Sequence, residues 1–109
     1  MIRKKPFHQQ KNHQEKLAEN EKLKNWFFEE FWLKNKRISA ISGDVVGYTF
    51  STAYYHHILN KKKYPLFKYK KEIIIVLTLQ EHDTVERLPH FYEEINKRKE
   101  KLLEEYGNL

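Results

Sequence analysis

The sequence predicts a small α+β domain in which two short strands lie between an aromatic N-terminal helix and an amphipathic C-terminal helix. Three observations carry that reading. Leu23, Phe27 and Phe31 recur at four-residue spacing, which is a helical stripe. Residues 72–77, Glu-Ile-Ile-Ile-Val-Leu, form a β-branched run of strand length. Directly after it, Thr78-Leu79-Gln80-Glu81 has the Ser/Thr-x-x-Glu form of a capping box, the sequence signature of a helix start.

Taken in order, residues 1–22 are dominated by Lys, Gln, Asn, Glu and His and read as a basic polar arm or solvated helix. The remainder, 23–109, reads as one domain. Its first helix covers residues 23–33, with Trp26, Phe28 and Trp32 widening the apolar stripe. Helical spacing makes this cluster a packing face rather than a platform for stacking bases. Residues 38–50 are expected to start a small antiparallel element, with turns at Gly43 and Gly47. A strand is expected over 53–59, where Tyr54, Tyr55 and Ile58 suit extended backbone, and the charged run 60–63 ends it. The second strand is 72–77, and the capping box then opens a short helix to about Arg87. Pro89 punctuates. A final helix follows, with Phe91, Ile95, Leu102 and Tyr106 on its inner face, Glu93–Lys97 and Glu94–Arg98 pairs outside, and Gly107 as its C-cap.

Composition narrows the function classes. At 109 residues there is room for one modest core. Lys and Arg number 21 against 15 acids, a net charge of +6, which favours a polyanionic partner, nucleic acid first. Cysteine is absent, so disulfides and thiolate metal sites are excluded and any metal must sit on histidine and carboxylate. The start of the chain lacks a secretory apolar stretch, and the apolar run 73–77 is too short to span a bilayer, so a cytoplasmic protein with no membrane contact is expected. Richness in Lys, Asn, Ile and Tyr hints at an AT-rich bacterial or phage genome.

The chemistry concentrates at two places. If the capping box forms, His82 and Glu86 fall one helical turn apart on one face, which is metal-ligand spacing with mixed nitrogen and oxygen donors. The pair His56-His57 ends the preceding strand with its two rings on opposite faces. A strand, strand, helix order would bring His56 to His82 and Glu86 and leave His57 pointing elsewhere. His8, His13 and His90 have no such support and are expected in solvent. A doubled histidine alone is commonly a surface or packing feature; the downstream strand and His82 are what single this one out.

Through Tyr55-His56-His57-Ile58-Leu59, the run 73–78 and Glu81-His82-Asp83-Thr84-Val85-Glu86, the chain resembles the HNH branch of the ββα-metal, or His-Me finger, nucleases over about residues 38–87. The resemblance implies a ββα-metal centre and metal-dependent hydrolysis of DNA phosphodiester bonds. By position it assigns His56, His82 and Glu86 as ligands of one divalent ion, Mg, Mn, Ni or Zn, and His57 as general base. One departure is plain: the family's middle asparagine falls on Ile73, which has no donor or acceptor to fix the loop beneath the histidine pair. Loss of comparable outer support typically costs about 10 to 100-fold. Lys61, Lys62, Lys63, Lys68, Lys70 and Lys71, interleaved with Tyr64, Phe67 and Tyr69, suit phosphate contacts on DNA, with RNA also open. Two alternatives stand beside the nuclease: an HNH-derived nucleic-acid-binding protein with weak or no turnover, and a helical protein-interaction module.

Overall fold

The computed structural model describes residues 13–106. The polar segment before them, with Phe7 and His8, and the expected cap at Gly107 lie outside the described residues. The first helix, α1 (His13–Phe27), is made largely of the good helix formers Glu, Lys, Leu and Ala. It has no break at residue 22, so the expected division between arm and domain falls inside one continuous helix. Its first turns are exposed, and its burial begins at Leu23 and Phe27.

A wider π-helical turn, Phe28–Trp32, continues α1, with the Leu33 and Lys36 amides bonding back five residues to the Phe28 and Phe31 carbonyls at 2.9 and 2.8 Å. It buries the consecutive residues Phe31 and Trp32 together. Asn35 then takes a left-handed conformation, φ 59°, which its short polar side chain tolerates and which reverses the chain.

Residues 38–50 form a loop with one isolated antiparallel bridge, Ile38 to Val45, instead of the expected antiparallel element. Both residues are about half exposed, so there is no apolar face to reward a longer ladder. The loop is tied down by the Ser39 hydroxyl, which accepts from the Ile41 and Ser42 amides, and by the Ala40 amide, which donates to the Val76 carbonyl.

Strand β1 (Tyr55–His57) pairs antiparallel with β2 (Ile74–Val76), with His56 opposite Ile75. One further bond flanks each end: the Leu77 amide donates to the Tyr54 carbonyl and the Ile58 amide to the Ile73 carbonyl, both at 2.8 Å. Both strands are shorter than expected, and single 3-10 turns, Thr52–Tyr54 and Lys71–Ile73, precede them. Ile58 and Leu59, the two residues after β1, are both buried in the same core. Strict alternation would send them to opposite faces, so the chain leaves the sheet after His57.

The two-stranded sheet has a core on each face. Tyr55, Ile74 and Val76 pack with Leu23, Phe27 and Phe31 beneath α1. Ile73, Ile75 and Leu77 pack on the other side with Val85, Ile95 and Leu102, from α2 (Leu79–Arg87) and α3 (Glu93–Tyr106). The capping box forms as expected: Thr78 Oγ1 accepts from the Glu81 amide and Glu81 Oε1 from the Thr78 amide. In the final helix the Glu93–Lys97 and Glu94–Arg98 pairs close at 3.5 and 3.2 Å. Phe91 is a correction. It precedes α3, in a turn where its amide bonds the Leu88 carbonyl, and is 61% exposed, while Tyr92 packs against the core in its place.

Ile73 has no exposed surface at all and sits within the second core. The loop 58–73 above it is held by apolar contacts. Phe67 is buried, Tyr64 stacks on it, and Tyr106 of α3 packs on the Phe67 ring at 4.9 Å while donating a 2.7 Å hydrogen bond to Glu72.

Candidate metal centre

The start of α2 is fixed before any ligand is considered. Beyond closing the capping box, the buried Glu81 carboxylate accepts a 2.6 Å hydrogen bond from the Ser39 hydroxyl. A charge-assisted bond of this kind stabilises by about 1.5–3 kcal/mol and ties the 38–46 loop to the helix N-terminus. Burial is the largest single influence on the Glu81 carboxyl and would raise its pKa, but the hydrogen bonds from Ser39, the Thr78 amide and the Ser42 and Thr78 side chains together hold it below its usual range.

From that start, one helical turn brings His82 Nε2 and Glu86 Oε1 to 3.1 Å of each other. His56 leaves β1 on the same side of the sheet, its ring centroid 5.5 Å from that of His82. One donor atom from each of His56, His82 and Glu86 lies within 4.8 Å of the others, close enough for a single cation to draw on all three. Two imidazole nitrogens and a carboxylate oxygen suit Zn, Ni or Mn better than Mg, which prefers all-oxygen surroundings. Three protein donors also leave coordination positions free, as catalytic rather than structural sites do.

Burial, followed by the neighbouring His82, pulls the His56 pKa down to about 4, with Glu86 opposing and His57 and Lys99 adding small repulsions. At neutral pH the ring therefore keeps the lone pair a metal needs. The sign of the stability effect follows. The unfolded imidazole titrates near 6.5 and the folded one near 4, so the unfolded chain alone takes up a proton as pH falls between them. In chelator, stability is expected to be flat above pH 6.5, to drop by about 3 kcal/mol down to pH 4, and then to level off as far as His56 is concerned. Urea titrations across that range check this, and a His56→Gln chain should lose most of the slope.

His57 occupies the other face, edge-on to Phe27 at 5.7 Å. Its Nε2 lies 2.9 Å from the Lys68 carbonyl oxygen. A carbonyl can only accept, so Nε2 carries the proton and Nδ1 holds the lone pair. Burial lowers the His57 pKa, the Lys68 carbonyl bond works against that, and the Lys61 and Lys68 charges add to the lowering. His57 lies on the opposite face of β1 from His56, as the alternation of strand faces suggested, yet both rings border the same cleft. β1 has a partner on one side only, and an open cleft of about 520 Å³ reaches both histidines, bounded by α1, the 60–62 loop and α2.

The expected lysines are not gathered into one surface. Lys61 and Lys62 line the cleft. Lys63 lies over the Tyr64 ring and Lys70 over Tyr106. Lys68 and Lys71 are drawn toward α1 and its π turn, to Glu19 at 3.9 Å and Glu30 at 2.6 Å. Ile73 contributes its backbone and its core contacts and does not line the cleft. His13 and His90 are exposed, as expected.

Several contributors were not anticipated. Asn20, Leu23, Lys24 and Phe27 of α1 form one wall of the cleft. Their i, i+3, i+4, i+7 spacing marks a single helix face and was readable, but nothing local said which element that face would meet. The Ser39–Glu81 bond and the Lys68 carbonyl join positions distant in the chain and leave no sequence signal. No helix among the described residues is long and apolar enough to cross a membrane. No family model, no curated protein and no solved structure matches this chain.

Proposed function

We propose that this protein is a divalent-metal-dependent endonuclease of the HNH type, built on a ββα-metal centre formed by β1, β2 and α2 and acting on DNA in the cytoplasm of a bacterial or phage-infected cell. The observation that carries the reading is the convergence of His56, His82 and Glu86 at one end of a cleft that His57 also lines, with its Nε2 anchored on a carbonyl. A divalent cation on those three donors would supply Lewis-acid stabilisation of the charge that develops on the phosphate and the leaving oxygen.

The remaining chemistry belongs to the chain. His57 Nδ1 accepts a proton from the attacking water, whose oxygen forms the new bond to phosphorus as the bond to the leaving oxygen breaks. The Lys68 carbonyl, bonded to Nε2–H, orients the ring and favours the imidazolium that results. Phe27 packs edge-on to that ring and limits its rotation. The lysines on the cleft wall attract the phosphodiester backbone.

One observation favours the runner-up, an HNH-derived nucleic-acid-binding protein with weak turnover: the family's asparagine position is a fully buried isoleucine. Plasmid nicking separates the two. Wild type is incubated with Mg²⁺, Mn²⁺, Ni²⁺ or Zn²⁺, with chelator controls and His82→Ala alongside. The nuclease reading expects nicking with at least one metal, none in chelator, and at least a tenfold loss in His82→Ala, together with loss of metal binding by calorimetry. Wild-type protein that binds DNA but nicks it with no metal leaves the runner-up standing.

A further inference from the structure

The cleft is walled by four chain segments, and its charges are unevenly matched. Lys24 lines it from α1, and Lys61 and Lys62 line it from the loop after β1. Among the described residues the single acid lining the cleft is Glu86, which is already engaged with His82. Among the described residues Lys24, Lys61 and Lys62 have no ion-pair partner, whereas Lys68, Lys71 and Lys34 all reach carboxylates on α1 or its π turn. Asn20, one turn before Lys24, and Asn60, beside Lys61, add neutral polar groups to the two sides. Burial, then the Lys68 and Lys62 charges, lowers the Lys61 pKa, so an anion entering the cleft would relieve that repulsion.

We infer that α1 is the second jaw of the substrate site: a nucleic-acid strand is clamped by its phosphodiesters between Lys24 on α1 and Lys61–Lys62 on the loop, beside His57. This rests on the proposed nuclease reading and adds to it an element that belongs to no part of the ββα centre. It also reassigns the expected phosphate contacts. Lys24 enters, and Lys63 and Lys70 leave, because each of the latter sits over an aromatic ring away from the cleft. The clamp explains why α1 is pinned to the sheet by Leu23 and Phe27, the residues that alternate with Asn20 and Lys24 along the same face.

The test is equilibrium binding of a fluorescein-labelled duplex oligonucleotide in EDTA over a series of salt concentrations, where no cleavage can occur. Lys24→Ala and Lys61→Ala should each weaken binding several-fold and reduce the slope of log K against log salt by about 1. Lys24→Glu should weaken it further. Lys63→Ala and Lys70→Ala should bind as wild type does. Lys24 is exposed, and unchanged melting of its variants confirms an intact fold.

The clamp is overturned if Lys24→Ala keeps the wild-type affinity and slope, if Lys63→Ala and Lys70→Ala lose as much as the cleft variants, or if wild type does not bind at low salt. The nuclease reading fails separately. Clamp-dependent binding in EDTA with no nicking under any metal retains the clamp and removes the enzyme.

Discussion

Replacing Ile73 with asparagine, the residue the HNH pattern would place there, is expected to destabilise the protein by about 3–5 kcal/mol rather than to improve its chemistry. Ile73 has no exposed surface and packs in the core that holds Leu59, Phe67, Ile75 and Leu77. The substitution removes aliphatic atoms from that core and introduces an amide with up to four hydrogen-bonding needs. No described side-chain polar atom in the interior lacks a partner, so none waits for that amide. At about 4–8 °C per kcal/mol for a domain of this size, the thermal midpoint should fall by tens of degrees. Ile73→Val, which keeps the shape and removes one methyl group, should cost about 0.5–1.5 kcal/mol. An asparagine variant melting within 1 kcal/mol of wild type would show that the interior can satisfy an amide there, and the apolar account of the loop would be wrong.

The second large effect is kinetic. His57→Ala should reduce metal-dependent nicking by about 10²–10⁴-fold, the range for loss of a general base. Its metal affinity should stay at the wild-type value, because His57 lies on the opposite face of β1 from the donor trio and contributes no atom to it. That split distinguishes it from His82→Ala, which should lose both. A structural cost is expected as well, about 1–2 kcal/mol, since the Lys68 carbonyl loses its partner and Phe27 loses an edge-on neighbour. Activity is therefore compared well below the melting transition of both proteins. Nicking by His57→Ala at the wild-type rate would remove His57 from the mechanism and leave the metal trio to be tested alone.

The surroundings of Ile73 show how the loop after the histidine pair is held in this chain. A loop beneath a histidine pair can be fixed by a polar side chain reaching its backbone, or by burying its own side chains. Here Phe67 goes into the core, Tyr64 stacks on it, and Tyr106 reaches across from α3 to Glu72. The Lys68 carbonyl is thereby held where His57 can donate to it. Asparagine is one way to hold such a loop, and an apolar plug with an aromatic latch is another.

What was legible in the chain followed from local physics. The capping box Thr78–Glu81, the His82–Glu86 spacing, the β-branched run before them and the outer ion pairs of α3 all depend on neighbours within one helical turn or on side-chain alternation. The composition likewise excluded thiolate sites without reference to any fold. Strand lengths were less legible, because Ile58 and Leu59 both go inward and only the packing of two cores against one thin sheet explains why. Phe91 looked like a helix face residue and ended outside it for a similar reason, displaced by the turn that starts at Leu88.

The site itself divides along the same line. The sequence by itself determined which side chains could act together within an element: His82 with Glu86 on one turn, and His56 and His57 on opposite faces of one strand. Only the tertiary structure decided that both histidines border one cleft, that α1 forms its other wall, that Ser39 ties down the start of α2, and that the Lys68 carbonyl meets His57 while its ammonium group turns to Glu19. The physical reason is range. Periodicity and capping act over three to seven residues, whereas the 2.6 Å bond from Ser39 to Glu81 spans 42 positions and exists because two separate cores press a loop and a helix against the same pair of strands.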